Sequence, residues 1–223
     1  MSDSHTLPSE IPFASFFVYS PRSVEGEQPE QKVIGEKSRR LVRSIKNEAR
    51  QFSAKWDLAE YVKANIGDEL RELYLGPETL LVPMPGHAPL KDPSSRWTTR
   101  ELCSDFVAHG LGAAWDPLIK RKHRVTKAAF ARAEERPTAR AHFESFLCEP
   151  QFGIGQSITV FDDVITRGAT MLAAVASLRL AYPGADVRGF ALLRTMSGVV
   201  LGKLAEPVSG TVKLEGSSTR RRP

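Results

Sequence analysis

The chain has 223 residues, a formal net charge of +5 and a sequence pI near 9.3. Hydrophobic residues make up 41% of it, enough for a sizeable core, and no apolar run reaches the length of a membrane span. Two cysteines, Cys103 and Cys148, and five scattered histidines exclude a clustered zinc site. The polar first ten residues lack a signal-peptide pattern, so a cytoplasmic protein with reduced thiols is expected.

Residues 1–11 read as a loose arm and residues 13–19, apolar and aromatic, as a strand. A loop over 21–31 contains Gly26 and Pro29. Helical spacing follows over 38–52, with Leu41, Val42 and Ile45 on one face, and again over 55–75 through Leu58, Val62, Ile66 and Leu70. Gly76-Pro77 ends that pattern. Residues 80–84 form a short apolar run that predicts a buried strand, and 85–89 are rich in turn residues. Thr98 or Thr99 is placed to cap a helix with Leu102, Phe106 and Leu111 on its stripe. Leu118-Ile119 is a brief apolar run before a basic cluster of Lys120, Arg121, Lys122, His123, Arg124 and Lys127. Residues 126–142 are basic, Ala-rich and weakly amphipathic. A strand from Ile158, a helix ending near Tyr182 and a strand over 187–193 complete the pattern. A second basic cluster, Arg220 to Arg222, follows Gly216-Ser217-Ser218-Thr219 in a tail expected to be partly disordered. From residue 80 onward, strands and helices alternate, which argues for an α/β fold with a parallel sheet covered on both faces.

The segment Ile158-Thr159-Val160-Phe161-Asp162-Asp163-Val164-Ile165-Thr166-Arg167-Gly168-Ala169-Thr170 is the most informative one. It reads as a buried strand ending in two carboxylates, then a Thr/Gly turn, then a helix start. A helix N-terminus offers unpaired N–H groups and a positive dipole end to an anion. Gly168 allows close backbone approach, while Thr166 and Thr170 add hydroxyl donors. The acids Asp162 and Asp163 repel a phosphate but suit sugar hydroxyls or Mg²⁺. A phosphorylated sugar satisfies all three features. Neither a G-x-G-x-x-G fingerprint nor a Gly-Lys-Ser/Thr triplet is present.

This segment resembles the motif of the type I phosphoribosyltransferases, an apolar strand, two acids and a Thr/Gly loop that holds the 5′-phosphate of phosphoribosyl pyrophosphate (PRPP). Arg167 stands where that family has Thr or another small residue. The wider chain is similar to the ComF-type members. Val82-Pro83-Met84-Pro85 with His87, the segment from Arg96 to Leu102, Leu118-Ile119-Lys120-Arg121, residues 132–143 ending in Phe143, and Ala191-Leu192-Leu193-Arg194-Thr195 resemble family segments in order. Leu41 to Lys46 resembles an upstream one. The Cys-rich zinc module of many members is absent from this chain.

The resemblance implies a phosphoribosyltransferase-like core over 80–198, an irregular N-terminal hood within 1–79, and a tail over 199–223. It implies Mg²⁺-dependent displacement of pyrophosphate by a nucleobase or related amine. Asp162 and Asp163 would contact the ribose and the metal. Thr166, Arg167, Gly168, Ala169 and Thr170 would hold the 5′-phosphate. Pro85, Gly86, His87, Lys120 and Arg121 would face pyrophosphate, with Arg136 and Arg140 on a closing loop. Arg194 and Val164 would line the acceptor pocket, Lys46 is a further candidate, and Trp97 or Phe143 would stack on a base. For each single cation, aromatic or histidine, a solvated or core position is the competing expectation. A PRPP sensor without turnover and a nucleic-acid-associated protein using the basic clusters are the alternatives; sheet proteins of this size often form symmetric dimers, and the sequence leaves the oligomeric state open.

Overall fold

A computed structural model describes residues 7–47, 57–90, 92, 95–126 and 136–223. In chain order the elements are β1 (Glu10–Tyr19), α1 (Pro29–Asn47), α2 (Leu58–Asn65), α3 (Asp68–Leu75), β2 (Thr79–Pro83), α4 (Thr98–Ala108), β3 (Ala114–Trp115), β4 (Ile119–Arg121), α5 (Ala139–Ser145), β5 (Phe146–Cys148), β6 (Ser157–Ile165), α6 (Ala169–Ala181), β7 (Asp186–Thr195), β8 (Ala205–Glu215) and β9 (Ser218–Arg222). Seven strands form one sheet in the order β3-β2-β6-β7-β1-β8-β9. The run from β3 to β1 is parallel, and β8 and β9 extend it antiparallel. The fold is thus α/β, a mostly parallel sheet flanked by helices.

Both faces of the sheet are buried, which is why its central strands read as near-continuous apolar runs. Alternation sends Phe16, Phe161 and Phe190 to one face, against α1, α2 and α4. It sends Phe13, Val160 and Ala191 to the other, against α6 and the separate β4–β5 ribbon. The Phe161 ring lies 4.8 Å from Phe106 and 5.2 Å from Phe190, centroid to centroid. Helix α6 is buried from Met171 through Leu178 because it has the sheet on one side and α5 with β5 on the other. Among the described residues, no helix is long and apolar enough to cross a membrane.

The departures from the sequence-based expectation have local causes. The single helix expected over 55–75 is two helices, because Gly67 takes a φ of 83° between them, and residues 55–56 lie outside the described ones. The helix expected over 38–52 starts at Pro29, inside the expected loop, and residues 48–52 are likewise outside. Neither Thr98 nor Thr99 caps α4. Trp97 holds the N-cap position, and the Thr99 hydroxyl donates instead to the Met84 carbonyl at 2.7 Å. The strand expected over 13–19 is β1, which enters the sheet between β7 and β8.

The tail expected to be partly disordered is the β8–β9 hairpin. Gly216, at φ 61°, and Ser217 make its two-residue turn between the paired Glu215 and Ser218. Glycine at the first turn position suits a tight hairpin, so a sequence that resembles a linker is a turn. The hairpin leans on the loop before α6. Gly168 has a φ of 89°, and a Cβ there would lie 2.6 Å from both Val212 methyls. Gly168→Ala therefore meets an unfavourable backbone region and a steric clash together. Urea or thermal unfolding is expected to report a loss of about 1–3 kcal/mol, and a loss within a few tenths would contradict this packing.

Candidate functional site at the carboxyl end of the sheet

Parallel strands present their carboxyl ends to one edge, where ligands of such sheets bind. β6 is the central contributor. Its core residue Phe161 accepts a hydrogen bond at its carbonyl from the Met84 N–H at 2.8 Å, which fixes the loop after β2 beside it. Asp162 and Asp163 come next. Asp162 Oδ1 accepts from the Asp163 N–H at 2.9 Å, and Asp163 Oδ1 accepts from the Val164 N–H at 2.7 Å. Lys46 of α1 reaches Asp163 Oδ2 at 3.5 Å. Burial and the neighbouring Asp163 carboxylate push Asp162 well above the usual carboxylate range, despite the Asp163 N–H and Lys46.

Ile165 is buried and ends the strand, so Thr166 and Arg167 turn outward before buried Gly168. Gly168 begins α6 without any side-chain cap. The first N–H groups of this 13-residue helix thus receive no side-chain cap from the N-cap position. The acid pair and this uncapped helix start are separated only by the turn.

Arg121, at the end of β4, is buried and serves as a junction. Its Nε donates to the Gly86 carbonyl at 2.9 Å, its Nη1 to Ser145 Oγ, and its Nη2 to His142 Nδ1 at 3.1 Å. Its guanidinium lies 4.0 Å from the Phe146 ring centroid. Burial lowers its pKa to about 10, against the pull of Asp162. His142 Nε2 is in turn 3.2 Å from Thr170 Oγ1. A guanidinium only donates, so Nδ1 of His142 must accept, and its ring proton must sit on Nε2. Nε2–H then donates to Thr170 Oγ1, which leaves the Thr170 hydroxyl proton to point away from the histidine.

The other expected residues divide. Pro85 is buried, Gly86 exposed and His87 partly buried, with the His87 carbonyl accepting from the Val125 N–H at 2.8 Å. Ala169 and Thr170 sit in the first turn of α6. Lys120 is exposed and 3.7 Å from Glu149. Arg140 pairs with Glu144 of its own helix at 2.8 Å, and Arg136 is partly buried. Arg194 is 1% exposed and pairs with the exposed Glu206 of β8 at 3.0 Å. Val164 packs against the α1 face. Trp97 is buried with its N–H on the Met84 carbonyl at 2.8 Å, and Phe143 packs against the α6 cluster. Trp97 is buried and Phe143 partly buried.

Sequence reading missed His142 and Arg221. Arg221 of β9 donates from Nε to the Thr166 carbonyl at 3.1 Å and from Nη2 to the Thr195 carbonyl at 2.7 Å. Burial and nearby Arg194 lower it to about 10. An arginine in a run of three carried no signal for an inward role. Arg121 and Arg221 are each a member of a basic cluster turned into the fold, so neither belongs to an exposed patch. Among the described residues, three metal-type ligands converge at Asp57, Asp105 and His109. There Asp57 caps α2 through the Glu60 N–H at 3.0 Å and meets His109 Nε2 at 2.7 Å, an interaction that closes the helix ends.

No protein-family model matches the sequence, and no curated protein matches it.

Two tests follow from the site's charges. Between the usual carboxylate range and its raised pKa, folded Asp162 holds more proton than the unfolded chain, so its contribution to stability falls as pH rises. Asp162→Asn is expected to raise Tm at pH 8, by roughly 2–4 °C per kcal/mol relieved, and the gain is expected to shrink toward pH 4. A lower Tm at pH 8 would contradict the assignment. His142 has the opposite sign. Burial and Arg121 lower it to about 4, so its contribution, on the order of 3 kcal/mol, is present above about pH 6.5 and lost as pH falls toward 4. Long-range ¹⁵N NMR of the ligand-free protein is expected to show a neutral Nε2–H tautomer at pH 6, and an Nδ1–H or doubly protonated ring would overturn the Arg121–His142–Thr170 chain.

Proposed function

We propose that this protein is a phosphoribosyltransferase of the type I, ComF-like kind, transferring phosphoribose from PRPP to a nitrogen acceptor. One observation carries the reading: the acid pair at the end of β6 and the uncapped start of α6 stand on either side of a turn closed by left-handed Gly168. A group with a phosphate at one end and a diol beside it fits that arrangement. The α6 N–H groups and the Thr170 hydroxyl bind the phosphate, while Asp162 and Asp163 accept from the ribose hydroxyls.

The reaction needs no enzyme nucleophile. The C1–oxygen bond breaks with its electron pair leaving on pyrophosphate, and the acceptor nitrogen's lone pair forms the C1–nitrogen bond. Any proton on that nitrogen passes to pyrophosphate or water. Positive charge develops on the ribose ring, where the two carboxylates stabilise it by preorganised electrostatics. On this reading Arg121 and the Pro85–His87 loop face the leaving pyrophosphate.

Magnesium fits the residues present. Asp162 is held above its usual range by burial and Asp163, which marks the pair as short of positive charge. Each carboxylate commits one oxygen to a backbone N–H, and the other oxygen of Asp163 lies 3.5 Å from Lys46, whose charge a hard cation would replace. Asp162 and Asp163 would hold the ion, which would supply charge neutralisation for the diphosphate.

Calorimetric titration tests the reading. Wild type is expected to bind PRPP more tightly with Mg²⁺, and Asp162→Asn/Asp163→Asn to lose about tenfold or more per carboxylate. Well-folded wild type that binds no PRPP would overturn it. PRPP-dependent pyrophosphate release separates an enzyme from a sensor built on the same loop.

A further inference from the structure

The hairpin at the end of the chain meets the turn after β6 at two points. The Val212 methyls fill the space beside Gly168. Arg221, the residue paired with Val212 across the hairpin, donates from Nε to the Thr166 carbonyl at 3.1 Å and from Nη2 to the Thr195 carbonyl at 2.7 Å. Strand alternation explains which arginine of the run does this. Arg220 and Arg222 are exposed, while Arg221 faces the other way, with its guanidinium 5.9 Å from the Phe13 ring centroid.

Positive charge accumulates here. The two Arg221 acceptors are neutral carbonyls, and its Nη1 is buried with no hydrogen-bond partner. The neighbouring charge that bears on it is the like charge of Arg194. Arg194 is itself 1% exposed, and its Nε is also buried without a partner. The carboxylate paired with Arg194, that of Glu206, is half in solvent and so offsets little. Holding two guanidinium groups together away from water costs stability. A polar but uncharged side chain at position 221 would serve the Thr166 carbonyl without that cost.

An anion at the turn makes the charge useful. The Thr166 carbonyl and the Arg167 N–H belong to one trans peptide, so a carbonyl held toward Arg221 directs that N–H away from the hairpin. The guanidinium thus lies behind the turn whose N–H groups would receive a phosphate. Partial burial keeps its attraction for that phosphate from being screened as a surface charge would be.

We propose that Arg221 is a positioning residue for a phosphate monoester at this turn, its charge raising the affinity of the turn for the dianion from behind Thr166. The proposal rests on the transferase reading and adds the C-terminal hairpin to the site that holds the 5′-phosphate.

Ribose 5-phosphate carries that group without the diphosphate and is the probe, titrated calorimetrically into the full chain at constant ionic strength. Arg221→Gln removes the charge and keeps a donor for the Thr166 carbonyl, whereas Arg221→Lys keeps the charge and loses the two-pronged fork. Arg221→Gln is expected to bind about tenfold more weakly than wild type, and Arg221→Lys within about threefold of wild type. Thermal unfolding of the ligand-free proteins reports the fold, and the Arg221→Lys expectation stands by itself if Arg221→Gln does not fold. Wild-type affinity in Arg221→Gln, equal weakening in both variants, a tenfold loss in folded Arg221→Lys, or no binding of ribose 5-phosphate by wild type would overturn the proposal. PRPP titration of wild type reports separately on the transferase reading. PRPP binding that Arg221→Gln leaves unchanged sinks this proposal alone.

Discussion

A buried guanidinium must meet acceptors on every side, and that constraint at Arg121 organises the ligand end of this fold. The side chain cannot be deprotonated at physiological pH, so its desolvation is offset only where carbonyls, hydroxyls and a ring nitrogen converge on it. Here those acceptors come from separate stretches of chain: Gly86 after β2, and His142 and Ser145 on α5. Meeting them ties the loop after β2 to α5, and through His142 to the first turn of α6. Phe146 closes the open face of the guanidinium. The position of the loop, the tautomer of the histidine and the direction of the Thr170 hydroxyl therefore depend on one charge.

The opposite charge is treated differently. Asp162 and Asp163 are adjacent on one strand, and Lys46 lies 3.5 Å from Asp163. Their mutual repulsion is left in place, and Asp162 is held above its usual range. A fold selected for stability alone would put a neutral side chain at Asp162. Keeping two partly buried acids there makes sense where a cationic sugar or a metal arrives to relieve them, because the repulsion then becomes binding selectivity for positive charge. Electrostatic tension at the acid pair and hydrogen-bond saturation at Arg121 are complementary: one side waits for charge and the other holds its geometry without it.

Legibility from sequence followed the range of the interactions concerned. The strands β1, β2, β6 and β7 were readable because burial on both faces writes an apolar run into contiguous residues, and the acid–turn–helix segment because its parts are consecutive. The split at Gly67 and the hairpin at Gly216 were not, since a positive φ leaves only a glycine in the sequence and glycine has several uses. β3 and β5 escaped because strands of two or three residues have no periodicity to detect. Arg194 carried two readings, and its pairing with Glu206 depends on β8 lying beside β1, which no local pattern encodes. His142 and Arg221 were illegible for the same reason. Each acts across a distance in sequence, to Arg121 and Thr170 in one case and to Thr166 and Thr195 in the other.

The β8–β9 hairpin shows what such distant contacts add. Its residue Val212 fills the space that any side chain at position 168 would need, and its Arg221 grips the carbonyl of Thr166, two residues earlier in the same turn. The loop is thus held from the helix side by its own glycine geometry and from the sheet side by the hairpin. A loop that binds an anion through backbone N–H groups gains from being fixed beforehand, because ordering it on binding would cost about 1–2 kcal/mol of conformational entropy per residue. The carbonyl of Thr166 is committed to Arg221, which leaves N–H groups rather than carbonyls for the ligand side of the turn. The last strand of the chain therefore sets the polarity of a site whose chemical groups lie some fifty residues before it in sequence.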